Sequence, residues 1–169
     1  MISADISAVI KELMDYKLEV QRRLENVVAG FAYEFVLTLG NNTPVGDEHS
    51  IMFNHSYRAY YKIRQETYGI PMEAGYHSSQ WKISTSAHIQ GDTQITSSSE
   101  AANFAHNEVQ QMYTLGSTFY IGHNTPGMEA LDDGYSRKAP QGITSNSLNQ
   151  IMGAYQIDVV KYYNGLTPR

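Results

Sequence analysis

Acidic residues and histidines are the side chains in this sequence with the most potential for catalysis or metal binding. Glu129, Asp132 and Asp133 form a small acidic cluster. A catalytic carboxylate pair needs opposed positions across a cleft, and adjacency does not provide them. We interpret the cluster as a helix cap or as half of an interface ion pair.

The histidines are dispersed rather than grouped. A helical zinc site needs two histidines at positions i and i+4 beside a glutamate, and no pair in this sequence has that arrangement. We therefore expect no metal site. The six histidines are His49, His55, His77, His88, His106 and His123.

Nucleophile and cofactor motifs are also missing from the sequence. The chain has no cysteine, which excludes disulfides, thiol catalysis and thiolate metal ligands. It has no phosphate-binding Gly-Lys-Ser/Thr loop, no dinucleotide Gly-x-Gly-x-x-Gly and no Gly-x-Ser-x-Gly elbow. The sequence predicts no enzyme, no catalytic residue and no cofactor; a remote alternative is a small hydrolase that pairs Asp132 or Glu129 with a nearby histidine.

Composition favours a protein that binds other proteins. The 169 residues suit one domain, and only 17% of them are charged, with a net charge of −5 and 13 tyrosines. Charged residues are depleted at the core of protein interfaces and tyrosine is enriched there, whereas a nucleic-acid binder shows a basic stripe. No apolar run is long enough to cross a membrane, and Met1–Lys11 does not resemble a secretory signal, so we expect a cytoplasmic compartment.

A long amphipathic helix is predicted first, from about residue 4 to residue 38, with a stop at Gly40–Pro44. A helix of that length would span ~50 Å, more than the width of a compact domain of this size. It either breaks near Gly30, with its apolar row in the core, or packs against another copy. Lys17 interrupts the row, which consists of Ile6, Ile10, Leu13, Val20, Leu24, Val27, Phe31 and Phe35.

The next segment, about residues 46–74, is rich in tyrosine. Ser50–Thr67 has the spacing of a short helix, with aromatic and basic side chains interleaved. The pattern fits a protein interface, a surface loop or a stacking surface for nucleotides, and the first is favoured because few cations are involved. The residues concerned are Tyr57, Tyr60, Tyr61 and Arg64.

The remainder alternates short strands and helices. Strands are predicted at Trp81–Thr85, Thr93–Ser97 and Thr118–Gly122, the last of them central because it is mostly apolar. Helices are predicted at about Ser98–Tyr113, Met128–Asp133 and Ser145–Tyr163.

Three segments then resemble a known family. Thr43–Val45 follows the long helix as Thr-Pro-Val does in that family, Gly75–Trp81 resembles its Gly-x-Leu-x-x-Ser-Trp, and Asn124–Gly142 resembles a segment ending in Ala-Pro-x-Gly. The family is that of the neck and tail-completion proteins of tailed bacteriophages, the group that includes the lambda minor tail protein Z. The most specific matches are Leu131, Gly134, Ser136, Ala139, Pro140 and Gly142.

This resemblance implies an α+β fold in which an antiparallel sheet packs against a long N-terminal helix, a middle helix and a C-terminal helix, with residues 46–74 as an insertion. It implies a structural virion protein, found in the host cytoplasm during assembly. Six copies would form a neck ring between the DNA-filled head and the tail, through which DNA passes without sequence recognition. Its neighbours would be connector or stopper proteins on the head side and terminator, tube or sheath proteins on the tail side. The nearest alternative is a tail terminator ring.

Two surfaces are candidates for contacts in such a ring. The first is the loop of residues 124–142, where Arg137 and Lys138 would meet acids of the next copy. The second is the tyrosine-rich segment, which would contact a neighbouring ring. The candidate loop residues are Asn124, Leu131, Asp132, Asp133, Gly134, Arg137, Lys138 and Pro140.

Overall fold

The computed structural model describes residues 6–45, 66, 76–87, 89, 95–125, 128–134 and 136–165, with side chains described as far as residue 154. This part of the chain has an α+β fold with a two-stranded antiparallel sheet, which confirms the expected fold class. In chain order its elements are α1 (Ile6–Asn42), a 3-10 turn (His77–Ser79), β1 (Lys82–Ser84), α2 (Ser98–Met112), β2 (Tyr120–Gly122), α3 (Met128–Asp132) and α4 (Thr144–Gly165).

Helix α1 is one uninterrupted element of 37 residues, so the alternative with a break near Gly30 is wrong. Its length is about 55 Å at 1.5 Å per residue. The helix ends at Asn42, within the predicted stop, because Pro44 has no amide hydrogen to continue it. The amide of Thr43 closes the last turn by bonding the carbonyl oxygen of Leu39 at 3.0 Å.

The face of α1 that is buried differs from the predicted apolar row. Ala29, Ala32, Val36 and Leu39 are all at most 2% exposed, and they lie about a third of a turn around the helix from the row that begins at Ile6. The alternative that places this row in the core is therefore wrong for Ile6–Val27, where its side chains are exposed or half-buried. Within the described part of the chain, α1 packs mainly through the face of Ala29 and Val36, and Phe35 of the apolar row lies half-buried against the same core.

The core forms where α1 crosses α2, which is its most extensive helix contact. Helix α2 contributes mainly alanine there, and α1 contributes Ala29 and Ala32 beside Val36 and Leu39, so small side chains make up much of the contact. Ile83, Trp81 and Ile143 pack around this contact. The fully buried alanine and valine residues of α2 are Ala101, Ala102, Ala105 and Val109.

The sheet has two strands in the described residues, where three strands were predicted along the chain. Strands β1 and β2 pair antiparallel with Ile83 opposite Ile121, inside the predicted strands Trp81–Thr85 and Thr118–Gly122. The expectation that Thr118–Gly122 is a central strand is wrong for the described residues, since β2 has one neighbour there and Tyr120 is 42% exposed. Of the predicted strand Thr93–Ser97, the described residues 95–97 are not in a strand.

Side-chain hydrogen bonds cap the start of α2 and tie α4 to α1. The Ser97 side chain accepts a hydrogen bond from the Glu100 amide at 3.2 Å, and the Glu100 carboxylate accepts one from the Thr96 amide at 2.9 Å, which is a reciprocal cap. Helix α4 is tied to the end of α1 by the Asn42 side chain, which donates to Ser147 Oγ at 2.9 Å.

None of the helices in the described residues is both long and apolar enough to cross a membrane.

Crowding the α1–α2 contact should destabilise the protein. Ala102 is fully buried, so we expect Ala102→Leu to lower the free energy of unfolding by ~1–3 kcal/mol through overpacking. The matched control is Ala154→Leu on an exposed position of α4, which should change stability by less than ~0.5 kcal/mol. Urea titration followed by circular dichroism measures both, and equal stability of the two variants would contradict the packing described above.

Candidate functional site

The three segments that carry the family resemblance contact one another. Trp81 Nε1 donates a hydrogen bond to Thr43 Oγ1 at 2.8 Å, which joins the second segment to the first. Lys138 Nζ donates to the carbonyl oxygen of Val45 at 2.9 Å, which joins the third segment to the first. His77 Nδ1 lies 3.0 Å from Thr125 Oγ1, which joins the second segment to the third. We call the buried or half-buried side chains at this meeting point, Thr43, His77, Trp81, His123 and Thr125, the junction.

Thr43 is the side chain that links the end of α1 to the rest of the junction. It is 2% exposed, and its hydroxyl donates to the carbonyl oxygen of Leu39 at 2.7 Å while accepting the Trp81 indole hydrogen. A buried indole N–H needs an acceptor, because burial without one costs the full desolvation penalty. Thr43 therefore both completes the last turn of α1 and satisfies Trp81.

The two histidines of the junction have defined hydrogen-bonding roles. The Thr125 amide donates to His123 Nδ1 at 3.3 Å, so Nδ1 carries no proton. His123 Nε2 then donates to the His77 carbonyl oxygen at 2.8 Å. The Thr125 hydroxyl donates its single hydrogen to His123 Nδ1 at 2.9 Å. Thr125 Oγ1 therefore accepts a hydrogen bond from His77 Nδ1. These contacts fit the tautomer of His123 that carries its hydrogen on Nε2.

This pair of histidines serves to hold two chain segments together. The His123 ring also meets Trp81 edge to face, with ring centroids 5.2 Å apart. In the described part of the chain, no group of three or more histidine, aspartate or glutamate side chains could hold a metal ion. Sequence reasoning missed the His77–Thr125 contact, because residues 48 positions apart in the chain carry no local signal of it.

Two glycines shape the loop that follows α3. Gly134 and Gly142 have φ angles of +84° and +80°, a region that favours glycine. A Cβ on Gly134 would lie 2.5 Å from the Pro140 carbonyl oxygen, and one on Gly142 would overlap the Asp132 carbonyl oxygen. The backbone of residues 132–134 therefore lies directly against that of residues 140–142. Glycine is therefore the residue type that fits both positions.

Asp132 holds the start of α4. Its Oδ1 accepts hydrogen bonds from the amides of Ile143 at 2.9 Å and Thr144 at 2.7 Å. Ile143 is the residue before the helix and has no side-chain acceptor of its own, so Asp132 supplies the missing N-cap from a distance. Burial, the largest single influence, opposes ionisation, but the hydrogen bonds from Thr144 and Ile143 together outweigh it and hold the pKa of Asp132 below its ordinary value.

The other candidate loop residues divide into exposed and engaged groups. Asp133, Arg137 and Pro140 are exposed, whereas Leu131 packs against the core. The Asn124 side chain donates to the carbonyl oxygen of Ile89 at 2.9 Å.

The charges of this loop do not neutralise one another. The ion pair found in the described residues joins Glu19 to Arg23 on α1, so the acids of the loop form none there with Arg137 or Lys138. Tyr57, Tyr60, Tyr61 and Arg64 lie outside the described residues.

Comparison with protein-family models, with curated proteins and with solved structures found no match to this chain. We therefore infer function from the residues of the chain and from their geometry. The two features that geometry provides are the junction, which is internal, and the loop of residues 128–142, which presents exposed charge from a backbone fixed by Gly134, Gly142 and Asp132.

The Thr43 hydroxyl should control the hydrogen exchange of the Trp81 indole. Thr43→Val removes the acceptor and should speed exchange of this indole hydrogen, with a loss of ~1–3 kcal/mol in the free energy of unfolding. Thr43→Ser keeps the hydroxyl and should keep the indole protected. Trp81 is the one tryptophan of the sequence, so its indole resonance in NMR needs no assignment. Equal protection of the indole in wild type and Thr43→Val would rule out this hydrogen bond.

Ionised Asp132 should make stability depend on pH in the acid range. Its pKa is lowered in the folded protein, so its stabilisation is complete above the ordinary aspartate value of ~3.9 and is lost as pH falls through the lowered pKa. Asp132→Ala should lower the free energy of unfolding at pH 7 by ~1 kcal/mol through loss of the cap. Asp133→Ala, at an exposed position, is the control. Denaturant titration between pH 2 and 7 checks both, and equal acid sensitivity of the two variants would show that Asp132 is not the group responsible.

Proposed function

We propose that this protein is a structural component of a tailed phage virion, forming a neck ring of six copies that joins the DNA-filled head to the tail. The observation that carries the proposal is the junction. The segments at Thr43–Val45, Tyr76–Trp81 and Asn124–Gly142 are far apart in the chain, yet they meet through the hydrogen bonds of Thr43, His77 and Lys138. The three segments follow the order of the family and also contact one another. Both facts support the inference that this chain and the family share an origin.

The physical role of the matching residues adds support. Thr43 ends α1, Trp81 is buried against it, and Gly134 and Gly142 have backbone angles that favour glycine. Each of these residue types is needed for a stated geometric reason, and together they shape the loop that is our candidate for contact with the next copy. A chance resemblance in sequence would not be expected to select residues with such linked roles.

The negative net charge of the chain suits a ring through which DNA passes. A net charge of −5 disfavours tight binding to phosphate, so DNA could slide through a channel lined by such a protein. A ring requires head-to-tail contacts, in which each copy presents two different surfaces. Arg137 is exposed and makes no ion pair within the described part of the chain, and it is the cation available to meet an acid of the next copy.

The role of Lys138 differs from that of Arg137. Its ammonium group already donates to the carbonyl oxygen of Val45. Lys138 therefore holds the loop against the end of α1, and reversing its charge would disturb the loop itself. Arg137 alone gives a clean test of the surface. The tyrosine-rich segment at 46–74 remains our candidate for contact with an adjacent ring.

Complementation of phage particles tests the proposal. Particles made without the protein should show filled heads and complete tails that are not joined, and supplying the wild-type protein should restore joining. Arg137→Glu should give a folded protein that fails to form rings in native mass spectrometry and restores joining at least ~10-fold less well, in line with the loss of a charge-assisted contact. Gln110→Glu adds a negative charge at an exposed position of α2 and should behave as wild type.

Two results would count against this assignment. Overlong tails in particles lacking the protein would make it a tail terminator, since a terminator limits the length of the tail tube. Normal infectious particles without the protein would show that it is not a component of the neck.

A further inference from the structure

The first part of α1 carries a stripe of apolar side chains that nothing in the described part of the chain covers. We define the α1 stripe as Ile6, Val9, Ile10, Leu13, Tyr16, Val20, Leu24 and Val27. These positions fall within about a third of the helix circumference and extend over ~33 Å of its length. Apart from half-buried Val20, its members are 40–70% exposed.

The stripe is not part of the core that α1 forms. The core face consists of Ala29, Ala32, Val36 and Leu39, on another side of the helix and closer to its C-terminal end. Removing Leu13 or Ile10 from the stripe would take nothing from that core. Large aliphatic side chains along an exposed helix therefore need another explanation than packing against α2.

The size of the stripe matches one side of a stable interface. Side chains of this kind, exposed to this degree, leave on the order of 500–800 Å² of apolar surface in water. The largest apolar patch on a typical monomer is about 300–600 Å², and each partner of a standard interface contributes about 800 Å². The area is thus sufficient for association with one other helix surface of similar length.

The spacing of the stripe indicates what that surface is. From Ile6 the central positions advance by alternating steps of four and three residues to Val27, with Lys17 as the polar member of the series. This is the 3.5-residue period at which two helices of the same repeat interlock side chains, and a single lysine in such a series is a known way to select one register. A helix with the same period is available in every other copy of this chain.

The charges on the same part of α1 do not oppose self-association. The charged side chains between Ile6 and Val27 balance, so two copies of the helix bring no net repulsion. The cations are Lys11, Lys17, Arg22 and Arg23, and the anions are Glu12, Asp15, Glu19 and Glu25.

We propose that the α1 stripe binds the α1 stripe of a second copy of this chain. This contact is separate from the loop of residues 128–142, and it does not depend on the proposed place of the protein in a phage neck. It buries the apolar positions between helices and leaves Lys17 as the one unfavourable position of the interface.

The test is the oligomeric state of the full chain, measured by sedimentation equilibrium over a wide range of concentrations. Wild-type protein should associate. Leu13→Glu places a charge in the centre of the stripe and should weaken association at least ~100-fold, whereas Ala8→Glu adds the same charge on another face of the exposed helix and should have no effect. Lys17→Leu should strengthen association at least ~10-fold, because the buried polar position becomes apolar.

Several outcomes would overturn this proposal. A wild-type chain that is monomeric at every concentration, or equal association of Leu13→Glu and Ala8→Glu, would show that no second copy uses the stripe. Leu13→Glu that lowers the free energy of unfolding of the monomer would show that the chain covers the stripe itself. Failure of the neck assignment is a different result, since a chain absent from the virion could still associate through α1.

Discussion

One buried hydroxyl connects the end of the longest helix to the junction. Thr43 Oγ1 accepts the indole hydrogen of Trp81 and donates to the carbonyl oxygen of Leu39, so the end of the longest helix is joined to the segment that leads into β1. Trp81 in turn meets the His123 ring, which is fixed by Thr125 and by the backbone of His77. Each group satisfies the next, and an apolar substitution at Thr43 would leave a buried donor without an acceptor.

Helix α1 has one face packed against α2 and another, nearer its N-terminus, that carries exposed apolar side chains. On one face, Ala29 and Ala32 pack against α2 together with Val36 and Leu39. The larger aliphatic residues at Ile6, Ile10 and Leu13 precede that contact and lie on another face. A helix of about 55 Å is longer than the contact needs, and the excess length is the part that carries the exposed apolar surface.

The elements of this fold were largely predictable, whereas their contacts were not. Apolar periodicity and stop signals located α1, α2 and α4 because those signals are local. The alternative that put the apolar row of α1 in the core was wrong, because a search for large apolar residues overlooks Ala29 and Ala32. These small residues form part of the face that packs against α2. The junction was beyond prediction since it joins residues 38 to 48 positions apart in the chain, such as His77 and Thr125.

The loop after α3 shows how far sequence reasoning reached at the candidate site. A cap was among the roles expected for the acidic cluster, but the helix that Asp132 caps is α4. The amides of Ile143 and Thr144, which donate to it, lie 11 and 12 residues further along the chain. Asp132 accepts from the amides at the start of α4 and Lys138 donates to the carbonyl oxygen of Val45, so these two charges do not pair with each other. Arg137 is left exposed and without an ion pair in the described residues. In the ring that we propose, its partner would be an acid of the next copy, and a chain with a net charge of −5 has acids to supply one.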